Sequence, residues 1–394
     1  MDKPASSAPS RRPLVGLLLG AAVFVLLLLL PPPEGMTPAA WRVAAVAALM
    51  ASWWVSEAIP IPATGLLPLV LFPLLGIAPI GEAAAPYADP LIFLFLGGFI
   101  VALALERWNL HRRIALGIVA RVGTRPAALV GGFMLATAFL SMWVSNTATT
   151  VMMLPIGLSV IGLLAAESTP DEAGRGGFPT ALLLGIAYAA SVGGLGTLIG
   201  TPPNALLAGF MARTYGVEIG FAQWMLIGLP LVAILLGCTW VLLTRIAFRL
   251  PAGPVEGSDA LIRAELGKLG RMGVAEWRVG LVFAAMAVLW VGRPLIEGWV
   301  PGLSDTGIAV AAALALFLVP AGGGRGGALL EWEASRRLPW GVLLLFGGGL
   351  SLAAAISKSG LAAWIGGVLA GLGALPLVLV VVLVTAAVVF LTEL

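Results

Sequence analysis

From Leu14 onward the sequence keeps returning to apolar runs, with at most two charged residues each, of the length that crosses a lipid bilayer: 14–30, 40–58, 62–78, 90–106, 178–199, 222–248, 277–292, 305–320 and 340–357. A helix needs about 20 apolar residues to cross the hydrocarbon core, with about 17 to 25 tolerated. Two further regions, 127–165 and 372–394, are as apolar but interrupted or incomplete. Charged residues make up 10% of the 394 and the mean hydropathy is +1.05, against about 25% charged residues in a soluble domain. Because backbone amides in hydrocarbon must find internal partners, such runs fold as helices. The expected fold class is an all-α polytopic membrane protein with the bilayer as its solvent.

Basic residues set the expected orientation, since loops rich in lysine and arginine stay cytoplasmic. Lys3, Arg11 and Arg12 precede the first run and place the N-terminus inside. That run resembles a secretory signal, but "PPPEG" and further spans follow in place of a cleavage site, so it reads as a retained helix. Counting spans, the chain returns inside at Arg107–Arg125, again at Arg245–Arg278 and again at Arg325–Arg337. The count holds only if 127–165 starts and ends on the cytoplasmic side, as either a re-entrant hairpin or two full crossings. Residues 107–123 alternate basic and apolar positions at helical spacing and read as an interfacial amphipathic helix. Residues 250–275 read as a solvated link, and "AGGGRGG" at 321–327 as a flexible loop that lacks the Lys-Ser/Thr ending of a phosphate loop.

Two segments about 250 residues apart are alike: "FLGGFIVALALERWNLHRRIAL" from Phe95 and "LFGGGLSLAAAISKSGLAAWIG" from Leu345. The span count runs the first inward and the second outward. This is the pattern of an inverted-topology repeat, an arrangement in which many secondary transporters place their site at the repeat interface.

Two polar interruptions stand out. "SNTATT", Ser145–Thr150, lies between apolar arms. At the tip of a re-entrant hairpin, the helix starting near Thr147 would present amides to an anion, and carbonyl, hydroxyl and amide oxygens would suit a hard cation. As a plain external turn, the same residues are ordinary turn and cap formers. The second break, "SVGGLGTLIGTPPNAL" from Ser191, combines glycines with Pro202 and Pro203 and the side-chain oxygens of Thr201 and Asn204. It reads equally as a helix-ending loop.

No His, Cys, Asp or Glu cluster has metal-ligand spacing, and no Ser or Cys has a plausible histidine base. Cys238 has no partner for a disulfide, His111 is expected on a solvated basic face, and Glu57 is expected to hold a helix end. Nothing points to a nucleic-acid partner. Hydroxyls, amides, glycine carbonyls and helix ends suit binding without covalent chemistry. The chain therefore reads as no enzyme, with no cofactor and no transition metal.

The motifs "WWVSEAIPIPATGLLPLVLFPLLGI" at 53–77, "DPLIFLFLGGFIVALALERWNLHRRIAL" at 89–116, "SNTATTVMMLPI" at 145–156 and "GTPPNA" at 200–205 occur in one order. Together they make the chain resemble the divalent anion:sodium symporter family, whose members carry dicarboxylates such as succinate, citrate or sulfate across the cell membrane. The resemblance extends from about residue 40 to the end. It implies an inverted-repeat, elevator-type transporter with re-entrant hairpins and broken helices, working as a homodimer with Na+ as coupling ion.

Carried over residue by residue, it puts Ser145, Asn146 and Thr147 on the substrate and Ser141, Ser145, Asn146, Gly193 and Gly194 on sodium. Thr201, Pro202 and Asn204 would shape the broken helix beside them. It divides the chain into a cytoplasmic tail (1–13), scaffold helices (14–106), an interfacial helix (107–125) and a first-repeat transport part (126–248). The transport part holds a re-entrant hairpin (127–165), a broken helix (178–215) and a helix (222–248). A cytoplasmic linker (249–275), second-repeat scaffold helices (276–357), an interfacial segment (358–371) and an incomplete second hairpin (372–394) follow. The repeat offset of about 251 would start a second Ser-Asn-Thr near position 396, so the C-terminal part of the family's site is expected to be missing. A sodium-independent exchanger of the same fold and an arsenite-type permease or pump subunit are the alternative readings.

Overall fold

The computed structural model describes residues 11–167, 177–251, 253–323, 325–369 and 376–392; residues 1–10 of the expected tail and 372–375 of the expected second hairpin lie outside them. In chain order the helices are α1 Arg11–Leu29, α2 Pro38–Ser56, α3 Ile61–Thr64, α4 Leu67–Leu74, α5 Ile80–Ala84 and α6 Pro90–Arg107. Next come α7 Leu110–Val119, α8 Pro126–Ser141, α9 Asn146–Glu167, α10 Phe178–Gly194, α11 Pro202–Tyr215 and α12 Phe221–Val241. The series ends with α13 Ser258–Lys268, α14 Val274–Ile296, α15 Asp305–Leu318, α16 Trp340–Lys358, α17 Leu361–Leu369 and α18 Leu377–Thr392. Six of the described helices are long and apolar enough to cross a bilayer. The chain is an all-helical polytopic membrane protein, as its apolar runs require. It divides into two compact units, Met1–Ile92 with Pro339–Leu394, and Phe93–Leu338.

In the first unit, α2 opens on Thr37, whose side chain accepts the Ala40 amide at 3.1 Å. It closes on Glu57 in the left-handed region (φ 48°), whose amide donates to Trp53 O, so Glu57 does hold a helix end. The run 62–78, expected as one span, is instead two short helices. Pro68 has no amide to give the Thr64 carbonyl, and a helix cannot pass that point without losing a bond. The Gly65 carbonyl at the break accepts the Tyr87 hydroxyl at 2.5 Å. Gly348 of α16 packs directly on that carbonyl, where a Cβ would overlap it. Ser351 donates to Ala83 O at 2.9 Å, and Lys358 pairs with Glu82 at 2.8 Å.

The second unit has its core where α7, α8, α9 and α10 meet, around Phe133, Met134, Met153 and Phe178, all fully buried. The amphipathic α7 forms where expected. His111 departs from expectation: it is half-buried, and its Nδ1–H donates to Leu105 O at 3.0 Å. Its neighbours Arg112 and Arg113 reach outward to Glu265, at 2.7 Å, and to Glu276. Burial, the largest influence, lowers the His111 pKa from its ordinary 6.5.

The stretch 250–275, expected as a solvated link, contains α13. Its Leu261, Ile262, Leu266 and Leu269 pack against the core of this unit, and that apolar burial folds a charged segment into a helix. On either side of residue 324, which lies outside the described residues, the glycine-rich stretch expected as a flexible loop is paired chain: β1 (Pro320–Gly322) and β2 (Arg325–Ala328) run antiparallel, with Gly322 and Gly323 at φ 74° and 66°.

The repeated segments carry the same series of elements. A helix of 18 or 19 residues (α6, α16) is followed by a short one (α7, α17) and then by one led by proline (α8 after Arg125, α18 after Pro376). The starts are offset by 340 − 90 = 250, 361 − 110 = 251 and 377 − 126 = 251 residues. In both, the paired glycines mark close helix approach. A Cβ on Gly97 would stand 2.6 Å from the Ala309 carbonyl carbon, and one on Gly347 would meet the Tyr87 ring.

Candidate functional site

Both polar interruptions are breaks between helices of the second unit, and they face each other. The α8 arm begins with Pro126 at its first turn, where a missing amide costs nothing. It ends at Ser141, and four residues, Met142–Ser145, reverse the chain before α9. A 16-residue arm is about 24 Å long, less than the roughly 30 Å of hydrocarbon. Ser145 caps α9, its Oγ accepting the Ala148 amide at 3.2 Å and its carbonyl the Thr149 amide at 3.0 Å. Thr150 Oγ1 donates back to Asn146 O at 2.8 Å. The side chains of Ser145 and Thr147 are exposed at the tip, and Asn146 is half-buried.

Opposite the tip, α10 ends at Gly194 and α11 starts at Pro202. Pro202 and Pro203 fill positions whose amides would be left over at a helix start. Asn204, 4% exposed, closes the gap: its Nδ2 donates to Gly194 O at 2.9 Å and to Thr197 O at 2.8 Å. Thr201 O accepts the Asn204 amide at 3.2 Å.

Three contacts bring break and tip together. The buried Ser141 Oγ lies 2.5 Å from Asn146 Oδ1 and 2.6 Å from Ala190 O. A hydroxyl has one proton and can satisfy only one of these two acceptors at a time. The Ser141 hydroxyl, the Asn146 carboxamide and the Ala190 carbonyl thus meet at one point, a set of neutral oxygen-bearing groups of the kind a hard cation takes as ligands. Thr197, fully buried, donates to Met142 O at 2.5 Å. Gly194 underlies Asn146 so closely that a Cβ there would stand 2.9 Å from Asn146 Oδ1. A Cβ on Gly193 would run into the Ala138 backbone, and one on Gly200 into the Gly194 carbonyl. Glycine is required at these positions for close backbone approach.

Thus Ser141, Asn146, Gly193, Gly194 and Asn204, picked from sequence, converge within hydrogen-bonding or van der Waals reach. Ser145 and Thr147 stand on the exposed side of the same tip, where the first amides of α9 have no intrahelical partner. Thr201 and Pro202 begin the helix beside it. Sequence reasoning passed over Thr197 and Ala190, although Thr197 is the only hydroxyl inside the glycine run 193–200. It also passed over Trp143, whose ring stacks near Phe221 and Trp290 (5.9 and 6.5 Å) and meets Phe283 edge-on at 4.9 Å. That cluster is held in turn by Asp305, which accepts the Phe221 amide at 2.8 Å and lies 3.3 Å from Arg293. Packing of the half-buried Trp143 and Phe283 rings on the buried Phe221 and Trp290 holds one side of the tip.

A largely helical membrane body whose two interrupted helices pool neutral oxygens and a helix start has the architecture of a polytopic membrane transporter. The chain matches the family model described as "Sodium:sulfate symporter transmembrane region" over residues 11–394, and it belongs to that family. It is 46% identical over 389 residues to the "Sodium-dependent dicarboxylate transporter SdcS" of Staphylococcus saprophyticus, a match covering 96% of this chain and 74% of the relative. The protein of the same name from Staphylococcus aureus (strain USA300) is 43% identical over 375 residues, covering 94% of this chain and 72% of the relative. The family and these relatives are transporters rather than enzymes, and the chain is a multi-pass membrane protein.

Proposed function

We propose that the protein carries small divalent anions, C4-dicarboxylates foremost, across the cell membrane together with Na+. The convergence of the Ser141 hydroxyl, the Asn146 carboxamide and the Ala190 carbonyl is the observation that carries this reading, because such neutral oxygen groups suit a hard cation with no histidine, cysteine or carboxylate ligand. Sodium sits among Ser141, Ser145, Asn146 and the carbonyls of Gly193 and Gly194. It binds first and draws the tip against the break. One carboxylate of the substrate then docks on Ser145, Asn146 and Thr147, where the α9 start favours negative charge. Thr201, Pro202 and Asn204 hold the break in shape.

The hairpin 127–165 is re-entrant, in keeping with the shortness of α8, and opens to a cytoplasmic side on which the N-terminus also lies. Residues 126–248 form the first-repeat part of a transport domain that moves elevator-fashion against the helices of 14–106 and 276–357. Two copies assemble as a homodimer. The sodium dependence in the names of the two relatives favours symport over sodium-independent exchange or an arsenite-type permease.

In proteoliposomes, an inward Na+ gradient should drive accumulation of labelled succinate, and Asn146→Ala should abolish it. Accumulation that persists in K+ alone, or that Asn146→Ala leaves unchanged, would overturn the assignment.

A further inference from the structure

A second cavity lies in the same unit, lined by the N-terminus of α8 and the chain that leaves α12. The walls are fixed by the backbone. Trp240 Nε1 donates to Ala127 O at 2.8 Å, and the Val255 amide donates to Thr124 O at 2.9 Å. Between these ties α12 runs into a π-helical turn, Leu242–Ala247, and then extended chain at Phe248. The cavity holds about 440 Å³ and is lined by Arg125, Arg245 and Arg249 with the apolar Pro126, Phe248 and Leu250.

Among the described residues none of these three guanidinium groups has an ion-pair partner. Six other arginines of the unit, Arg107, Arg112, Arg113, Arg263, Arg293 and Arg337, each lie within 4 Å of a carboxylate. Arg125 is also the N-cap of α8 and makes no side-chain cap bond, and Pro126 and Ala127 of the first turn line the cavity. Three unpaired cations and a helix N-terminus in one apolar-walled recess form an anion site.

The next stretch of the same helix tells what carries the anion. An open apolar cleft of about 740 Å³ runs along α12 and its π-helical turn from Ala233 to Ile246, and Thr244 and Arg245 of that same turn line the basic cavity. Fourteen helical residues cover about 20 Å, the depth of one leaflet. A polar head beside the guanidinium groups and an acyl chain along the groove describe one amphiphile. We propose that this site binds an anionic phospholipid, its phosphate held by Arg125, Arg245 and Arg249 and its tail lying on α12. Basic pockets between spans at a membrane surface take lipid head groups by this same pairing of charge and apolar wall.

The test uses the detergent-purified chain and native mass spectrometry with phosphatidylglycerol or phosphatidylcholine added. The wild type should retain phosphatidylglycerol preferentially, and the Arg125→Gln/Arg245→Gln/Arg249→Gln variant should lose that preference by about tenfold or more. Removing three charges elsewhere, as Arg263→Gln/Lys268→Gln/Arg271→Gln, should leave it intact. Millimolar inorganic phosphate should not displace the lipid. Equal retention by the cavity variant and the wild type, or displacement by phosphate alone, would overturn the proposal. A second measurement needs no variant: a photoreactive phosphatidylglycerol should crosslink to peptides within 233–251, and crosslinks confined to other segments would refute the site.

Discussion

Asn204 is the residue on which the shape of the glycine break depends, and removing its side-chain amide has a calculable cost. Among the described residues its Nδ2 is the one donor to Gly194 O and the nearer of two donors to Thr197 O, which otherwise keeps the Gly200 amide at 3.3 Å. In Asn204→Ala, a buried carbonyl loses all satisfaction, at about 1–3 kcal/mol, and a second is weakened by about 0.5–1.5 kcal/mol. The expected loss is about 2–4 kcal/mol. Asn204→Asp keeps the size but turns a lone pair on both carbonyls, so it should lose at least as much.

Thermal unfolding of the purified chain in NaCl and in choline chloride measures both the loss and its link to the ion. Na+ at ten times its Kd stabilises the wild type by about 1.4 kcal/mol. The variants, with Gly194 O no longer held, should unfold earlier and show less than half of that increment. An Asn204→Ala protein as stable as the wild type, with its sodium increment intact, would refute the claim that this amide builds the site.

Other substitutions probe neighbouring contacts. Gly193→Ala places a methyl group into the Ala138 backbone; it should cost about 1–3 kcal/mol by overpacking and abolish the sodium-dependent thermal shift, whereas Gly162→Ala, with open space around it, should be silent in the same melt. His111 supplies a pH dependence. Its folded pKa lies below 6.5 because burial disfavours the cation, so the unfolded chain binds the extra proton first as pH falls. Stability should be full above pH 6.5 and decline below it. His111→Gln should flatten that limb of the melting-temperature profile, and an unchanged slope would show that another group titrates.

The two interruptions were legible because polar residues inside hydrocarbon are costly, although by residue type alone "SNTATT" also fitted an external turn and "GTPPNA" a helix-ending loop. The repeat was legible for a related reason, since its glycines at 97 and 347 are fixed by close packing. What stayed hidden depends on neighbours that sequence does not display. Asp259, Arg263 and Glu265 drew attention to charge in the linker, while Leu261, Ile262, Leu266 and Leu269 at helical spacing signalled α13. The interruption at Gly65 was masked by unbroken hydropathy, although Pro62, Pro68 and Pro73 in one run argued against a straight span. Trp143, Thr197 and Ala190 could not be assigned because their roles arise from contacts 49 to 147 residues away, as with Ala190 O to Ser141 and Trp143 to Trp290.

The hairpin tip is pinned from two directions, by Thr197 on its Met142 carbonyl and by the aromatic stack on Trp143. If sodium closes the tip as proposed, the oxygen cage then held this way has little freedom to dilate. Neutral ligands offer every monovalent cation the same attraction in kind, so discrimination must come from ionic radius, and a radius is discriminated only by walls that do not yield. Stiffness of the tip, more than the identity of any one oxygen, is then what would turn away potassium.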